Sequence, residues 1–351
     1  MNKNAVFTIS SKNYFAQGIS LLDSIFMQHK NDLDYYYLIV DENINEIEDY
    51  NLKFNLVLAK NIGIPDFYSL AFKYNVIEFN TAVKPFFFDY LFKDYEKVVY
   101  FDPDIFVYKS LDLIFKILDS NDILLTPHII NPDFRINLIE DGEYPFLQTG
   151  IFNLGFLGVK KSGESLKFVD WFKERTFNAC FIDNKMGLFV DQKWINFVPC
   201  LFNSYFILKD KYYNVAYWNI SERNFKESEI NEIVFYHFSS FDIKDNDTIT
   251  KLNSKFFNLS NFPLLADKVK LYRQILRSNG YLEYRNIDYS YSKFNNGSLI
   301  TSYHRKIYKM KPIKEPFNVS KTSVFYLHGY ILFTIKQIVK NVINLLSKCR
   351  K

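Results

Sequence analysis

The sequence predicts an α/β protein, a mixed sheet flanked by helices and followed by a helical and irregular C-terminal extension. Two observations carry this. Short β-rich runs alternate with amphipathic helical patterns through the first half, an order that builds a parallel sheet covered by helices. An apolar strand then runs into Asp102-Pro103-Asp104 and leaves through a second apolar run, which sets two carboxylates in a tight turn.

The elements follow in order. Asn4–Ser10, Tyr35–Val40 and Leu56–Ala59 read as strands. Ala16–His29 carries Ile19, Leu22, Ile25 and Phe26 at helical spacing. Thr81–Phe92 reads as one helix with Pro85 near its first turn, where proline is tolerated. Lys97–Tyr108 holds the strand, the Asp-Pro-Asp turn and the exit strand. Asn121–Thr126 and Ile151–Val159 read as strands, Glu164–Phe177 and Val190–Pro199 as helices, and Ile233–Phe238 as a late strand. We divide the chain into a core of residues 1–242, an accessory region 243–320 and a tail 321–351. The tail from Phe325 to Lys351 is an amphipathic basic pattern without an acidic residue. Such a helix lies on an anionic membrane surface, or docks on the body or on a partner.

Composition narrows the functional classes. At 351 residues the chain can bury a large core. Its 37 Phe and 26 Tyr suit sugar-binding clefts but equally a Phe-heavy core. A net charge of +4 is too small to imply nucleic acid, whose binders concentrate Lys and Arg on one face. Cys180, Cys200 and Cys349 show neither metal-ligand spacing nor a disulfide framework, which points to a reducing compartment. No signal-peptide run and no apolar span of membrane length is present, so a cytoplasmic protein, peripheral at most on the inner membrane face, is expected.

The chemistry centres on Asp102 and Asp104. Two carboxylates two residues apart can converge on one hard divalent cation, and Mg²⁺ or Mn²⁺ commonly bridges carboxylates and diphosphate oxygens. An Asx-Pro turn in which both side chains cap backbone amides is the simpler alternative. The apolar strands on both sides favour the cation, because buried charge is costly unless paired or metal-bound.

The run VVYFDPDIFVY resembles the Asp-x-Asp strand-turn of GT-A nucleotide-sugar transferases, and five further segments are similar to glycosyltransferase family 8. VFTISSKNYFAQGISLLDSI resembles its first strand and nucleotide loop, which implies donor contacts from Thr8, Ser11, Asn13 and Tyr14; Ser11 stands where the family often has an Asp that touches the base. Ala82-Val83-Lys84-Pro85 is similar to the segment that places a cation near the diphosphate, here Lys84. In the run from Gln148 to Gly158, Asn153 matches the family's sugar-contacting Asn. Asp191-Gln192 matches the Asp that binds the donor sugar and the Gln beneath its anomeric carbon, though an Asp-Gln at a helix start is also an ordinary N-cap. His237 corresponds to the family's late metal ligand. The family's following glycine is Ser240 here, and its Lys-Pro-Trp string is missing.

The resemblance implies a GT-A fold and transfer of a hexose-type sugar from a nucleotide diphosphate, UDP foremost, to a glycan or glycolipid hydroxyl. Mn²⁺ or Mg²⁺ on Asp102, Asp104 and His237 would neutralise the leaving group, and the anomeric configuration would be retained. A sugar-nucleotide nucleotidyltransferase would show a Gly-rich phosphate loop after the first strand, which Ser10–Tyr14 lacks. A non-catalytic carbohydrate-binding protein would need no carboxylate pair with a histidine.

Overall fold

The computed structural model describes residues 3–47, 53–132, 143–252 and 256–348. The first half contains β1 (Asn4–Ser10), α1 (Phe15–His29), β2 (Asp34–Ile39), β3 (Asn55–Leu58), α2 (Phe67–Lys73), α3 (Val76–Ala82) and α4 (Lys84–Leu91). Then come β4 (Lys97–Phe101), β5 (Ile105–Val107), α5 (Asp112–Ser120), β6 (Ile123–Leu125), α6 (Tyr144–Thr149), β7 (Phe156–Lys160) and α7 (Gly163–Ala179). Short elements follow: β8 (Ile182–Asp183), β9 (Leu188–Phe189), α8 (Val198–Leu201), β10 (Tyr205–Ile207), β11 (Val215–Ala216), α9 (Ile220–Arg223) and β12 (Phe235–His237). The extension holds α10 (Ala266–Ser278), α11 (Tyr281–Tyr284), α12 (Ser302–Met310) and α13 (Val324–Lys348).

The expected mixed α/β architecture is present. Seven strands form the main sheet in the order β10-β6-β7-β4-β1-β2-β3, parallel throughout except that β7 runs against β4 and β6. A second sheet, β11-β12-β5, hangs on the exit strand of the Asp-Pro-Asp turn. Strand side chains alternate between two cores: Phe7, Val98 and Tyr100 enter one, Val6, Val99 and Phe101 the other. Each such side chain, fully buried, contributes about 1.5–3 kcal/mol. This two-sided burial is why β4 reads as a continuous apolar run.

Three predicted elements differ from those observed. The single helix expected over Thr81–Phe92 is two, α3 and α4, broken at Val83. Pro85 has no N–H to offer the Thr81 carbonyl, so one α-helix cannot run through it. The strand expected over Ile151–Val159 begins only at Phe156, because the Asn153 side chain takes the Gly155 N–H (3.2 Å) that a ladder would use. The helix expected over Val190–Pro199 is a 3₁₀ stretch, Gln192–Phe197, running into the single turn of α8.

The extension packs back on the body. Phe238 stacks on Tyr272 of α10 (3.9 Å, 9°). Arg305 of α12 donates to the carbonyls of Ala71 and Phe72 in the last turn of α2 and of Tyr74 just past its end. The last helix, α13, leans on α12 at its start and then exposes Ile335, Ile338, Val339, Val342 and Ile343 beside exposed Lys336 and Lys340. Residues 349–351 of the predicted tail lie outside the described residues. No helix among the described residues is long and apolar enough to cross a membrane.

Candidate active site

The Asp-Pro-Asp turn is held at both ends. The Asp102 amide donates to the Gly155 carbonyl (2.7 Å), and Ile105 N–H closes the turn on the Asp102 carbonyl (3.1 Å). Beyond it, β12 pairs antiparallel with β5 in a register that puts His237 opposite Ile105, and Phe238 N–H donates to the Asp104 carbonyl (2.8 Å). That register brings a histidine from 133 residues downstream to the turn. Its Nε2 lies 3.0 Å from Asp104 Oδ1 and 3.7 Å from Asp102 Oδ2. One ligand atom from each of the three residues falls within 4.8 Å of the others. An imidazole nitrogen with two carboxylate oxygens is a donor set that Mn²⁺ or Mg²⁺ accepts. Adjacent ligands of an octahedral ion with bonds of about 2.1 Å stand about 3 Å apart, so the His237–Asp104 separation fits such an ion.

Gly155 makes this packing possible. A Cβ there would lie 2.5 Å from His237 Cε1 and 2.8 Å from Nδ1, far inside van der Waals contact. The imidazole is held on three sides. Nδ1 meets Asn153 Oδ1 at 3.3 Å, Trp218 stands edge-on at 5.2 Å, and the carboxylates face Nε2. An Nδ1–H donated to Asn153 leaves the Nε2 lone pair for a cation. Asn153 is itself fixed by Asn214 Nδ2 (3.0 Å) and by His128 Nε2 (3.3 Å). Burial lowers the His237 pKa, but the Asp104 and Asp102 carboxylates outweigh it and the net shift is upward. Asp102 is raised by burial, against the pull of Lys84 and His237, and it accepts the Tyr100 hydroxyl.

Lys84 opens α4 but is buried. It is 1% exposed, 2.6 Å from Asp191 Oδ2, 2.9 Å from the Leu154 carbonyl, and over the Tyr100 ring at 4.1 Å. Asp191 caps no helix with its side chain; its carboxylate faces this ammonium instead. The residue before it, Val190, has φ +42°, a left-handed conformation costly for a β-branched residue. Gln192 is engaged at both ends of its amide: Oε1 accepts Leu154 N–H (3.0 Å) and Nε2 donates to the Thr149 carbonyl (3.0 Å).

At the end of β1, Thr8 is fully buried with no hydrogen-bond partner for its hydroxyl among the described residues, and the Ser11 hydroxyl donates to Asn13 Oδ1 (2.5 Å). Tyr14 leaves its ring 43% exposed. Its phenol end is desolvated and faces Asp104, which together push its pKa up to about 12. The loop is anchored by Asp41 at the end of β2, whose Oδ2 accepts Lys12 N–H (2.7 Å).

Sequence reasoning passed over Tyr100, Asp41, His128, Asn214 and Trp218. Tyr100 had a signal: two residues before Asp102 on a strand, it shares that residue's face. The other four reach the site from the ends of separate elements, and nothing in their local sequence marks them.

No family model matches the chain. It is similar to two proteins of Bacillus subtilis (strain 168), each described only as uncharacterized. YfnF is 25% identical over 264 residues, 71% of this chain and 86% of YfnF. YfnD is 24% identical over 277 residues, 75% of this chain and 84% of YfnD. Among solved structures it is similar to the galactosyltransferase LgtC in complex with donor and acceptor sugar analogues, at TM-score 0.45 and 14% identity, over 78% of this chain and 95% of LgtC. The glycosyltransferase GlyE of Streptococcus pneumoniae TIGR4 gives TM-score 0.45 and 17% identity, over 79% of this chain and 63% of GlyE. Mouse xyloside xylosyltransferase 1 gives 0.40 and 13%, over 68% and 98%.

Proposed function

We propose that the chain is a metal-dependent glycosyltransferase that moves a hexose-type sugar from a nucleotide diphosphate, UDP foremost, to a hydroxyl of a glycan or glycolipid, with retention at the anomeric carbon. The observation that carries the reading is the convergence of Asp102, Asp104 and His237 at the end of β4. Mn²⁺ or Mg²⁺ held there would supply Lewis acidity toward the diphosphate leaving group. Thr8, Ser11, Asn13 and Tyr14 form the nucleotide side of the site, with the exposed Tyr14 ring offering a face for the base. Asp191 and Asn153 orient donor hydroxyls. Lys84 lends its charge to the leaving group through the Asp191 pair. Gln192, immobilised by two backbone partners, sits opposite the leaving group, where an amide is too weak a nucleophile for a covalent intermediate.

Calorimetric titration with UDP, GDP and CDP, with and without Mn²⁺, tests the reading. UDP is expected to bind only with metal, and that metal-supported binding is expected to be lost in Asp104→Asn. Failure of all three nucleotides to bind with metal would sink it.

The same reading extends to the tail. Residues 301–351 carry eleven Lys and Arg against one acidic residue, Glu315, while the remaining chain is net negative by 6. With the exposed apolar row of α13 this supports docking on an anionic membrane surface at the cytoplasmic face, where a glycolipid acceptor would lie. Deletion from Phe325 should abolish co-sedimentation with phosphatidylglycerol vesicles and leave UDP binding intact. Sedimentation unchanged by the deletion excludes it.

A further inference from the structure

Behind the metal triad, three asparagines and a histidine form a buried hydrogen-bond network that the apolar core does not require. Asn153, Asn214, Asn219 and His128 are all buried. Asn214 Nδ2 bridges Thr126 Oγ1 (2.9 Å) and Asn153 Oδ1 (3.0 Å). Asn219 Nδ2 donates to the carbonyls of Asn214 and His128, each at 3.0 Å, and its Oδ1 accepts Ala216 N–H (2.9 Å). Polarity at this depth is costly, and Asn214 Oδ1 has no partner among the described residues. Asn214 also holds φ +52°, a left-handed conformation that asparagine tolerates and that clusters at functional sites.

The network converges on one atom. Asn153 Oδ1 meets three donors: Asn214 Nδ2 (3.0 Å), Gly155 N–H (3.2 Å) and His237 Nδ1 (3.3 Å). The backbone N–H of Gly155 can only donate, so the amide oxygen and not the nitrogen must face it, and Asn214 reinforces that orientation. Asn153 Nδ2 gives one hydrogen to His128 Nε2 (3.3 Å), which leaves one for a donor hydroxyl.

The orientation matters because His237 stands between two acceptors. Its Nδ1 faces Asn153, and its Nε2 lies 3.0 Å from Asp104 Oδ1. A neutral imidazole carries one hydrogen. A bond to a carboxylate is the stronger of the two, so without Asn153 the hydrogen settles on Nε2 and closes the ligand position. With the Asn153 oxygen fixed, the hydrogen belongs on Nδ1 and the Nε2 lone pair faces the cation.

We propose, resting on the transferase reading, that Asn153 and Asn214 are positioning residues of the metal centre: Asn214 anchors the Asn153 carboxamide, and its oxygen holds His237 in the tautomer that binds metal through Nε2. Neither asparagine touches the metal. Asn153 thereby serves both halves of the site, the metal ligand through its oxygen and the donor sugar through its remaining amide hydrogen.

NMR of the full chain labelled with ¹⁵N-histidine and loaded with Mg²⁺ tests the tautomer directly, with His237 assigned against His237→Ala. Hydrogen is expected on Nδ1 and none on Nε2. Mn²⁺ calorimetry then reads the anchors. Asn153→Leu keeps the shape and removes the acceptor, and Asn214→Gly removes the anchor at a backbone angle that glycine accepts. Each should weaken Mn²⁺ binding by about 10- to 100-fold. Asn153→Asp keeps an oxygen toward Nδ1 and should bind Mn²⁺ as tightly as wild type, although it buries a charge and melts lower. A merely structural asparagine would give the reverse order, with Asn153→Asp the weakest. Hydrogen on Nε2, wild-type affinity in Asn214→Gly, or Asn153→Asp as weak as Asn153→Leu overturns the positioning role and leaves the transferase reading standing. A wild-type protein that binds neither Mn²⁺ nor UDP overturns both.

Discussion

Replacing Gly155 with alanine tests whether the packing at the turn sets the site. The added Cβ would lie 2.5 Å from His237 Cε1, 2.8 Å from Nδ1 and 2.9 Å from Asn153 Oδ1. An ordinary carbon contact needs about 3.5 Å, so the imidazole must retreat by about 1 Å. It has no free direction, because Trp218 closes one side and the Asn153–Asn214 pair another. The backbone cannot yield either, since the Gly155 carbonyl holds the Asp102 amide at 2.7 Å. Overpacking of this kind costs about 1–3 kcal/mol. Displacing a ligand's orienting shell costs about 10- to 100-fold in metal affinity. The assay is Mn²⁺ titration by calorimetry with urea unfolding in parallel. Gly158→Ala, three residues on in β7 and against Leu118 and Leu124 at 3.2 Å, is the control that should lose stability without losing metal. In a His237→Ala background most of the Gly155→Ala stability cost should disappear, as coupling through one contact requires. A Gly155→Ala protein with wild-type Mn²⁺ affinity and wild-type stability would refute the account.

Three other outcomes are expected. Lys84→Met leaves Asp191 buried without its partner and should cost about 3–5 kcal/mol in urea unfolding, with most of the loss recovered by adding Asp191→Asn; equal loss in single and double variants would show that the pair is not the cause. Ser240 is exposed with φ +57°, so Ser240→Gly should relieve about 1 kcal/mol of backbone strain and raise the melting temperature, whereas no change or a fall would contradict this. His128 is buried and its pKa falls from 6.5 to about 3, so between those values the unfolded chain binds the proton that the folded chain refuses. Its contribution to stability is therefore complete above pH 6.5 and declines as pH falls, by about 2 kcal/mol at pH 5. His128→Gln should flatten the pH 5–7 stability slope relative to wild type, and parallel slopes would assign the loss elsewhere.

The sequence by itself determined the α/β class, the strand carrying Val98–Phe101 and the carboxylate pair that follows it. Those features are local. Strand alternation, apolar runs buried on two faces and a turn built on Asp-Pro-Asp all read within a dozen residues. It also marked Lys84, Asn153, Asp191, Gln192 and His237, but only as a pattern of distant segments, with no means of saying what each side chain touches. The tertiary structure decided that. His237 meets Asp104 because β12 pairs with β5 in one register, and a slip of one residue would turn the imidazole to the other face. Lys84 is marked by the sequence only as a cation beside Pro85, and it is packing that buries its ammonium against Asp191. His128, Asn214 and Trp218 had no local signal, since a buried hydrogen-bond network forms only when separate elements close around it. A cavity lined by Glu42, Tyr68 and Glu315 was illegible for the same reason: its two walls are more than 220 residues apart in the chain.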